Sequence, residues 1–344
     1  MPVNHESRNL TQRPETNSGT VIATLSGRPL LPNRGIPLNL DWVQEVRVNT
    51  SAVERRVQSQ VARRTVKKEW QAAWLLRAIT CMDLTTLSGD DTDERVRRLC
   101  AKGRHPIQPE LEKKLGIEDL QIKVAAICVY HTFVETALHA VEGSGIHVAA
   151  VSTGFPAGLS PLTERVAEIR RSVEAGAQEI DVVITRAYVF GGRWQALYDE
   201  VAAFKQACGP AHMKVILGTG DLLTLRNVAR ASVVAMMAGA DFIKTSTGKE
   251  PTNATLPVGL VMTRAIREYA QQTGMAVGFK PAGGIRTAKQ SLDWLAMIKE
   301  ELGDSWLRAE MFRFGASGLL ADIERQLEHH VTGRYSAEYR HPIA

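Results

Sequence analysis

Two lysines stand at the carboxyl ends of two apolar segments of the sequence. Lys244 closes DFIK and Lys280 closes VGFK, and a loop that contains glycine follows each of them. Asp181 lies inside a third apolar segment, EIDVVI, and Asp83 directly follows a fourth, in CMDLTTL. Charged groups on buried strands are costly to desolvate unless they have partners. The pattern therefore indicates either structural ion pairs, which could also involve Asp241, or a reactive site.

The chemistry open to two adjacent lysines is imine formation with a carbonyl compound. A free lysine amine has a pKa of about 10.4 and is protonated at neutral pH, so it is not nucleophilic. Lowering that pKa by about three units requires about 4 kcal/mol. A second ammonium group about 5 Å away contributes on the order of 3 kcal/mol at an effective dielectric constant near 20, and partial burial can supply the remainder. The pair therefore predicts that one lysine is an amine at neutral pH.

The loops that follow the last two predicted strands are suited to binding a phosphate. Gly283 and Gly284 lie in PAGG, and Gly315, Ser317 and Gly318 lie in FGASG. Because glycine has no Cβ atom, backbone N–H groups can approach phosphate oxygens, and the N-terminus of the next helix adds its dipole. The two loops together predict an anion site.

The elements that must position these groups alternate regularly between apolar strands and amphipathic helices. The predicted strands are Ala78–Met82, Val124–Val129, His147–Ser152, Glu179–Ile184, Met213–Leu217, Asp241–Lys244, Ala276–Phe279 and Met311–Phe314. The predicted helices are Asp93–Ala101, Val134–Glu142, Leu162–Ala175, Ala196–Ala207, Leu222–Ala238, Pro257–Gln272, Ala288–Leu302 and Leu319–His330. Eight such pairs over roughly 250 residues predict a closed (β/α)8 barrel of the α/β class, with its site at the carboxyl ends of the strands.

The sequence outside the predicted barrel differs in composition. Residues 1–40 are rich in Pro, Asn, Thr, Ser and Arg without a period, which predicts a weakly ordered N-terminal tail. Residues 41–330 are predicted to form the barrel with an N-terminal helical extension, and residues 331–344 a C-terminal tail. In the extension, residues 52–76 predict a long helix or a helix pair. A basic helix face is usually solvated, and binding of RNA or of a partner is the alternative. The basic residues of this face are Arg55, Arg56, Arg63, Arg64, Lys67 and Lys68.

Composition excludes several classes of protein. The chain has 344 residues, of which 44% are hydrophobic and 23% charged, close to globular averages. The excess of Lys and Arg over Asp and Glu, 42 to 37, is spread along the chain, so nucleic-acid binding is not expected. No run of 18 apolar residues predicts a membrane-spanning helix. The cysteines, Cys81, Cys100, Cys128 and Cys208, form no CxxC motif, which predicts reduced, mostly buried thiols and a cytoplasmic location.

Other catalytic motifs do not fit the sequence. Residues 246–249 resemble the end of a Walker A loop, but Ile243 stands at the position of its first glycine and Glu250 at the position of its hydroxyl residue. No GxGxxG follows a predicted strand, the histidines lack metal-ligand spacing, and no GxSxG occurs. The sequence therefore predicts amine catalysis without a metal or cofactor.

The sequence resembles the deoxyribose-phosphate aldolases, a family of class I aldolases, from about residue 63 to residue 335. The segments that carry the resemblance include MDLTTLSGDDT, GFPAG, EIDVVI, MAGADFIKTSTGK, GFKPAGGIR and FRFGASGLL. FIKTSTGK together with GFKPAGG is highly specific for this family. The long N-terminal extension and the late segment DIERQLEHHVTGRY resemble the longer, animal-type branch.

The resemblance implies a (β/α)8 barrel that reversibly cleaves 2-deoxy-D-ribose 5-phosphate into acetaldehyde and D-glyceraldehyde 3-phosphate, in deoxyribonucleoside catabolism and without a cofactor. Lys244 matches the imine-forming lysine, Lys280 the neighbour that lowers its pKa, and Asp181 the carboxylate that moves a proton together with a water. Asp83 matches a supporting acidic residue. The substrate and phosphate positions are Thr247, Gly248, Lys249, Gly283, Gly284, Ile285, Gly315 and Ser317.

The sequence departs from the family pattern at three positions. His131 stands where proline is frequent, and Gly218 stands where Glu or Ala is frequent. Gly318 replaces a frequent second hydroxyl residue, which could weaken one phosphate hydrogen bond. Many members place a tyrosine of a C-terminal tail near the substrate, and Tyr335 or Tyr339 could act in this way.

Two other functions stay open at this point. One is a transaldolase-like enzyme that forms an imine with a longer sugar phosphate. The other is a binding or scaffold protein that uses the basic helical segment, residues 55–68, and its tails to hold RNA or a partner. The expected partners of an aldolase are its sugar phosphate and acetaldehyde, and it could assemble as a homo-oligomer.

Overall fold

Eight short strands pair side by side, all in parallel, in the computed structural model, which describes residues 20–63 and 66–342. The helices and strands, in chain order, are β1 Ala23–Leu25, β2 Arg28–Pro32, α1 Leu40–Glu45, α2 Thr50–Arg63, α3 Lys68–Thr80, β3 Met82–Thr85, α4 Asp93–Arg104, α5 Pro109–Leu115, β4 Ala126–Tyr130, α6 Val134–Val141, β5 His147–Ser152, α7 Leu162–Glu174, β6 Glu179–Val183, α8 Arg186–Phe190, α9 Trp194–Cys208, β7 His212–Ile216, α10 Leu225–Met237, β8 Phe242–Lys244, α11 Leu256–Thr273, β9 Met275–Ala276, β10 Gly278–Lys280, α12 Ala288–Leu302, β11 Phe314–Ala316 and α13 Leu319–Thr332.

The strands follow the order β10-β8-β7-β6-β5-β4-β3-β11. Parallel bridges from Phe279 to Phe312 and from Ala282 to Gly315 join the two ends of this order and nearly close the ring. Helices lie between successive strands, as parallel pairing requires. The predicted (β/α)8 barrel of the α/β class is confirmed.

Side chains alternate between the outside and the inside of the barrel along each strand, with the period of two expected for β-structure. In β6, Ile180 and Val182 belong to the large core between the strands and the helices. A separate, smaller cluster contains Cys128 and Val151. Both faces of the strands thus contribute apolar side chains, which explains why the strands read as mainly hydrophobic runs interrupted by single charged residues.

Two predicted strand boundaries are wrong. The prediction Ala78–Met82 falls mostly on the end of α3, because Ala78 and Ile79 are buried on one face of that helix and β3 begins only at Met82. A short apolar run does not distinguish a buried helix turn from a buried strand. The last strand, predicted at Met311–Phe314, is β11 and begins at Phe314.

The N-terminal segment differs from its prediction. Residues 20–40 are not weakly ordered, because β1 and β2 form an antiparallel hairpin and β2 pairs in parallel with β9. The parallel partner of β2, β9, lies more than 200 residues further along the chain. No local period in the sequence therefore reveals the pairing of β2 with β9. Residues 1–19 of the predicted tail lie outside the described residues.

The helical extension is a pair of helices, α2 and α3, in agreement with one of the two predicted forms. Its basic face is only partly solvated, because the Arg56 guanidinium group lies 2.8 Å from the Glu300 carboxylate of α12. The side chains of Arg55, Arg63, Lys67 and Lys68 are exposed, and Arg64 lies outside the described residues.

The described part of the predicted C-terminal tail folds back on α13. His341 is buried, and its Nε2 atom lies 2.8 Å from the Glu328 carboxylate. Tyr335 stacks on His329, with 4.1 Å between the ring centroids, and Tyr339 is exposed. Among the described helices, none combines the length and the apolar character needed to cross a membrane.

The hairpin segment is joined to the barrel through the buried side chain of Asn33. Its Nδ2 atom donates to the carbonyl oxygens of Met236 at 2.9 Å and Ala240 at 2.8 Å. Its Oδ1 atom accepts from the Gly35 N–H and the Tyr269 hydroxyl group. The hydrogen-bonding capacity of this amide is thereby used inside the protein.

We expect Asn33→Leu to lower the free energy of unfolding by on the order of 3 kcal/mol, because buried carbonyl and hydroxyl groups lose their partners. Denaturant unfolding would measure this loss. Arg34→Ala, a change at the adjacent exposed side chain, serves as the control and should change the stability by less than about 0.5 kcal/mol. An equally small effect of Asn33→Leu would contradict the assigned role of Asn33.

Candidate active site

A cavity of about 820 Å³ opens at the carboxyl ends of β3, β8, β10 and β11. All eight residues predicted to contact substrate or phosphate line it: Thr247, Gly248, Lys249, Gly283, Gly284, Ile285, Gly315 and Ser317. Lys244 reaches the same cavity from the end of β8. The structure therefore brings the predicted phosphate loops and the predicted reactive lysine to one place.

The loops after β8 and β10 lie against each other. The Thr245 hydroxyl group lies 3.0 Å from the Ala282 N–H, from which it accepts a hydrogen bond. Gly248 and Gly283 have positive φ angles of 88° and 79°. A Cβ atom on Gly283 would lie 2.7 Å from the side chain of Asn253, so the close packing requires glycine there.

The floor of the cavity is a buried group of charges built around Asp181. Its Oδ2 atom accepts hydrogen bonds from Lys244 Nζ at 2.7 Å and from Lys280 Nζ at 2.8 Å. The two lysine nitrogens are therefore no further apart than the sum of these distances. Lys244 and Lys280 are also paired residues in the register of β8 and β10, so strand pairing sets their proximity.

Asp83, the fourth residue predicted from the sequence, lies in the same group. It accepts a short hydrogen bond from Lys280 Nζ, and its other oxygen lies 2.6 Å from Arg313. Burial opposes ionisation, but the charges of Lys214, Lys280 and Arg313 lower the pKa of Asp83 to about 2. Asp83 is therefore a carboxylate that helps to hold Lys280.

Three further charged residues of this group were missed by sequence reasoning. Lys214 Nζ lies 3.0 Å from Asp181, 2.5 Å from Glu179 and 3.3 Å from Asp83. Arg313 contacts Glu179 at 2.7 Å. The available signal was the spacing of two between Glu179 and Asp181, which puts both carboxylates on one face of β6, and a lysine in the middle of the apolar strand HMKVI.

The group holds three carboxylates and four cations: Asp83, Glu179, Asp181, Lys214, Lys244, Lys280 and Arg313. Fully ionised, it would carry one surplus positive charge in a desolvated interior, which is costly. Of the four cations, only Lys244 lines the cavity. The structure thus has one cation more than its buried carboxylates require, and that cation faces the cavity.

The directions of the pKa shifts agree with this charge count. Burial lowers the pKa of Lys244 and the neighbouring charge of Lys280 lowers it further, although Asp181 acts in the opposite direction. For Lys280, burial also acts to lower the pKa, but Asp181 and Asp83 together raise it above the usual value. Lys244 is therefore the lysine that loses its proton more readily.

The ion pairs named as the alternative to a reactive site are also present. Lys244 pairs with Asp181, and Lys280 pairs with both Asp83 and Asp181. Asp241 instead pairs with Lys205 at 2.5 Å. These ion pairs orient the two lysines. Because the group holds one more cation than it holds carboxylates, one of the two lysines can lose its proton and act as an amine.

Cationic side chains surround the phosphate loops. Arg95, Arg286 and Arg325 line the cavity together with the predicted Lys249, and sequence reasoning missed the three arginines. Arg95 pairs with Asp90 and Asp91, at 3.2 Å and 3.3 Å. Buried Arg325 Nε, in contrast, has no hydrogen-bond partner within the described part of the chain. The cavity therefore offers positive charge to an anionic ligand.

The three departures from the family pattern have different surroundings. His131 lies 3.6 Å from Glu168. Gly218 has a positive φ angle of 66°, a conformation that favours glycine, and a Cβ atom there would lie 2.8 Å from the Arg186 side chain. Gly318 lines the cavity with open space beside it, so a side chain would fit.

The two C-terminal tyrosines, Tyr335 and Tyr339, do not line the cavity that the described residues form.

The four cysteines are buried, free thiols, as predicted, and burial raises the pKa of Cys128 in the barrel interior. Across residues 20–63 and 66–342, no three His, Cys, Asp or Glu side chains are placed so that they could hold a metal ion.

Comparison with known proteins places these features in one family. Residues 77–324 match the profile of the DeoC/LacD family aldolases. The deoxyribose-phosphate aldolase of Mus musculus is 60% identical over 313 residues, which cover 90% of this chain and 98% of that protein. The deoxyribose-phosphate aldolase of Homo sapiens is 58% identical over 314 residues, or 91% of this chain and 99% of that protein.

A solved structure shows the same fold. The tetrameric deoxyribose phosphate aldolase of Aeropyrum pernix is 24% identical and superposes with a TM-score of 0.55, over 81% of this chain and 99% of that chain. At this level of identity the likeness concerns the barrel fold alone.

We expect Lys214→Met to raise the pKa of Lys244, because the charge group loses a cation and Lys244 must then neutralise Asp181 as an ammonium ion. A raised lysine pKa means that the neutral amine appears only at higher pH. Reductive alkylation with formaldehyde and cyanoborohydride across a pH series, followed by mass spectrometry, would locate the pH at which Lys244 becomes reactive.

The same substitution should lower the free energy of unfolding by about 3–5 kcal/mol, since three buried carboxylates lose their ion pairs with Lys214. Lys299→Met, a change at an exposed lysine, is the control for both measurements. A reactivity profile of Lys244 that moves to lower pH in Lys214→Met would refute the charge-balance argument.

Proposed function

The chain belongs to the DeoC/LacD family of aldolases, and on this premise we propose that it is a deoxyribose-phosphate aldolase. It cleaves 2-deoxy-D-ribose 5-phosphate reversibly into acetaldehyde and D-glyceraldehyde 3-phosphate, a step of deoxyribonucleoside catabolism. The observation that carries this proposal is the position of Lys244, at the junction of the buried charge group and the cavity. The activity named for relatives that are 58–60% identical over nearly their whole length supports it.

The first step is imine formation on Lys244. The neutral Nζ atom attacks the aldehyde carbon C1, and the carbinolamine that forms loses its hydroxyl group as water. This loss requires a proton on the leaving oxygen. Asp181, which lies 2.7 Å from Lys244 Nζ, is placed to move protons to and from this centre with a water, and Lys280, hydrogen-bonded to the same oxygen, holds a proton nearby.

The second step breaks the bond between C2 and C3. The hydroxyl group on C3 gives its proton to a base, its oxygen forms the carbonyl of glyceraldehyde 3-phosphate, and the electron pair of the broken bond moves into the iminium. The resulting enamine is protonated at C2 and hydrolysed, which releases acetaldehyde and restores the amine of Lys244. The positively charged iminium is the electron sink, so we propose that no metal or cofactor takes part.

The phosphate of the substrate is the group that orients it. We assign it to the loops after β8, β10 and β11, through Thr247, Gly248, Lys249, Gly283, Gly284, Ile285, Gly315 and Ser317. The N-terminus of α13 directly follows Gly318 and contributes its dipole. Fixing the phosphate away from the reacting bond holds C1 near Lys244, which is how orientation contributes to catalysis.

Other properties remain predictions from the sequence. A cytoplasmic location is supported by the four buried, free thiols, and a homo-oligomer is predicted without an assigned interface. RNA binding by the basic helix face is less favoured, because Arg56 on that face is engaged with α12. A transaldolase-like reaction differs from the proposed one in the carbonyl compound that forms the imine.

Borohydride trapping tests the reaction directly. With acetaldehyde, borohydride should reduce the imine to a stable two-carbon adduct on Lys244, which peptide mass spectrometry would locate. Lys244→Ala should lose both the adduct and turnover, whereas Lys299→Ala, at an exposed lysine, should keep both. Adducts that form only with ketose phosphates would favour the transaldolase-like enzyme, and an adduct on another lysine would overturn the assignment of Lys244.

We expect Arg325→Gln to raise the KM for 2-deoxy-D-ribose 5-phosphate by about 10- to 100-fold with little change in kcat. The reason is that a buried, unpartnered guanidinium N–H beside the phosphate loops is free for a charge-assisted hydrogen bond worth about 1.5–3 kcal/mol. Steady-state kinetics with 2-deoxy-D-ribose 5-phosphate and with unphosphorylated deoxyribose would measure the KM of the variant for each sugar.

The KM for unphosphorylated deoxyribose should be unchanged in Arg325→Gln, since that sugar has no anion to bind. Arg334→Gln, at an exposed arginine of the C-terminal segment, is the matched control. An equal rise of KM for both sugars would show that Arg325 supports the cavity rather than the phosphate.

A further inference from the structure

The backbone donors of the loop after β8 are already occupied by a carboxylate of the chain itself. Glu250 accepts hydrogen bonds from the Thr247 N–H at 3.0 Å and 3.1 Å, one to each oxygen. The Gly248 N–H donates to the same carboxylate at 3.2 Å, and the Thr247 hydroxyl group donates to it at 2.7 Å. Two N–H groups and one O–H group thus converge on one anion.

The residues that supply these donors, Thr247 and Gly248, line the ligand cavity. A Cβ atom on Gly248 would lie 3.9 Å from the Cα atom of Gly283, in the next phosphate loop. Convergent N–H groups with a glycine at positive φ form an anion-binding concavity. A phosphate and the Glu250 carboxylate cannot share these donors, because they carry charge of the same sign and need the same hydrogen atoms.

The loop does not depend on this carboxylate alone. The Lys249 N–H donates to the Thr247 hydroxyl oxygen at 3.1 Å, and the Asn253 side chain donates to the Glu250 carbonyl oxygen at 2.8 Å. These two hydrogen bonds do not involve the Glu250 carboxylate, so they still hold the loop backbone when the Glu250 side chain rotates away. Its donors would then be available to another anion.

We propose that Glu250 is a resident anion of the substrate site: its carboxylate occupies the donors of Thr247 and Gly248 in the empty protein and yields them to the phosphate of the substrate. This rests on the proposed function and deepens it. Every anion that enters must displace the carboxylate, so the apparent affinity for all of them falls. The sugar phosphate offsets this cost through its imine and hydroxyl contacts, while an anion without a sugar has no such contacts. Glu250 is thus a specificity-determining residue against free anions.

The opposing explanation is that Glu250 only braces the loop. The two explanations predict opposite signs for the effect of removing the carboxylate. If it competes with phosphate, its removal strengthens the binding of inorganic phosphate. If it braces the donors, its removal disorders them and weakens that binding.

The test is a calorimetric titration of inorganic phosphate into the full-length protein and its variants. Glu250→Ala should lower the dissociation constant of phosphate by on the order of tenfold, since no carboxylate has to be displaced. Glu250→Gln should fall between the natural protein and Glu250→Ala, because the amide oxygen still accepts hydrogen bonds but carries no charge. Thermal melts would confirm that each variant is folded.

Asp322→Asn is the matched control. Asp322 also lines the cavity and accepts from a backbone N–H, that of Ala288, at 2.7 Å, but it does not occupy the donors of the β8 loop. It should change the dissociation constant of phosphate less than Glu250→Ala does. An unchanged or larger dissociation constant in folded Glu250→Ala overturns the proposal, as does an Asp322→Asn effect of equal size.

A crystal structure with bound phosphate gives an independent outcome. The Glu250 carboxylate should then have left the Thr247 N–H, and a carboxylate still hydrogen-bonded there would overturn the proposal. Phosphate binding is measured here without turnover. Failure of this proposal is therefore distinguishable from failure of the proposed reaction, which the borohydride adduct on Lys244 tests separately.

Discussion

One carboxylate oxygen, Oδ2 of Asp181, holds the ammonium groups of Lys244 and Lys280 in the barrel interior. The site depends on this shared hydrogen-bond acceptor, because it brings together two like charges that would otherwise repel each other. Three carboxylates cannot neutralise four buried cations, so the interior favours the loss of one proton. The geometry decides which lysine loses it. Lys280 has a second carboxylate, Asp83, whereas Lys244 has only the shared one and faces the cavity.

The barrel fold is what makes such an arrangement possible. In parallel strands, register places residues of neighbouring strands side by side, and here it pairs Lys244 with Lys280 and Asp181 with Lys214. A helix crossover between strands keeps all carboxyl ends at the same rim. The charged rows on the inner face are therefore a direct consequence of strand register, while the outer face of the same strands packs against helices and supplies the core.

Much of the barrel and of the candidate site was predictable from the sequence. The residues and strands that sequence reasoning missed were missed for physical reasons. Lys244 and Lys280 could be predicted because each closes an apolar segment, and the two aspartates because Asp83 follows such a segment and Asp181 interrupts one. The phosphate loops could be predicted because glycine and helix starts have a local signature. Lys214 and Arg313 were missed because they lie deeper, where an apolar neighbourhood suggested core. The pairing of β2 with β9 was missed because β9 lies far along the chain, whereas the hairpin of β1 and β2 does have a local turn, Ser26-Gly27, with both residues at positive φ. Contacts set by tertiary structure leave little trace in local patterns.

The charge of the substrate imposes a further constraint on the site. A phosphate dianion close to Lys244 would favour the ammonium form and so reduce the concentration of the amine. An aldolase of this kind therefore needs its phosphate held apart from the lysine and locally neutralised. The loops after β8, β10 and β11, with the start of α13 and the side chains of Arg286 and Arg325, supply backbone donors and positive charge where the phosphate is proposed to bind. The same cations that bind the phosphate thus screen its charge from Lys244, so substrate binding and amine reactivity become compatible in one cavity.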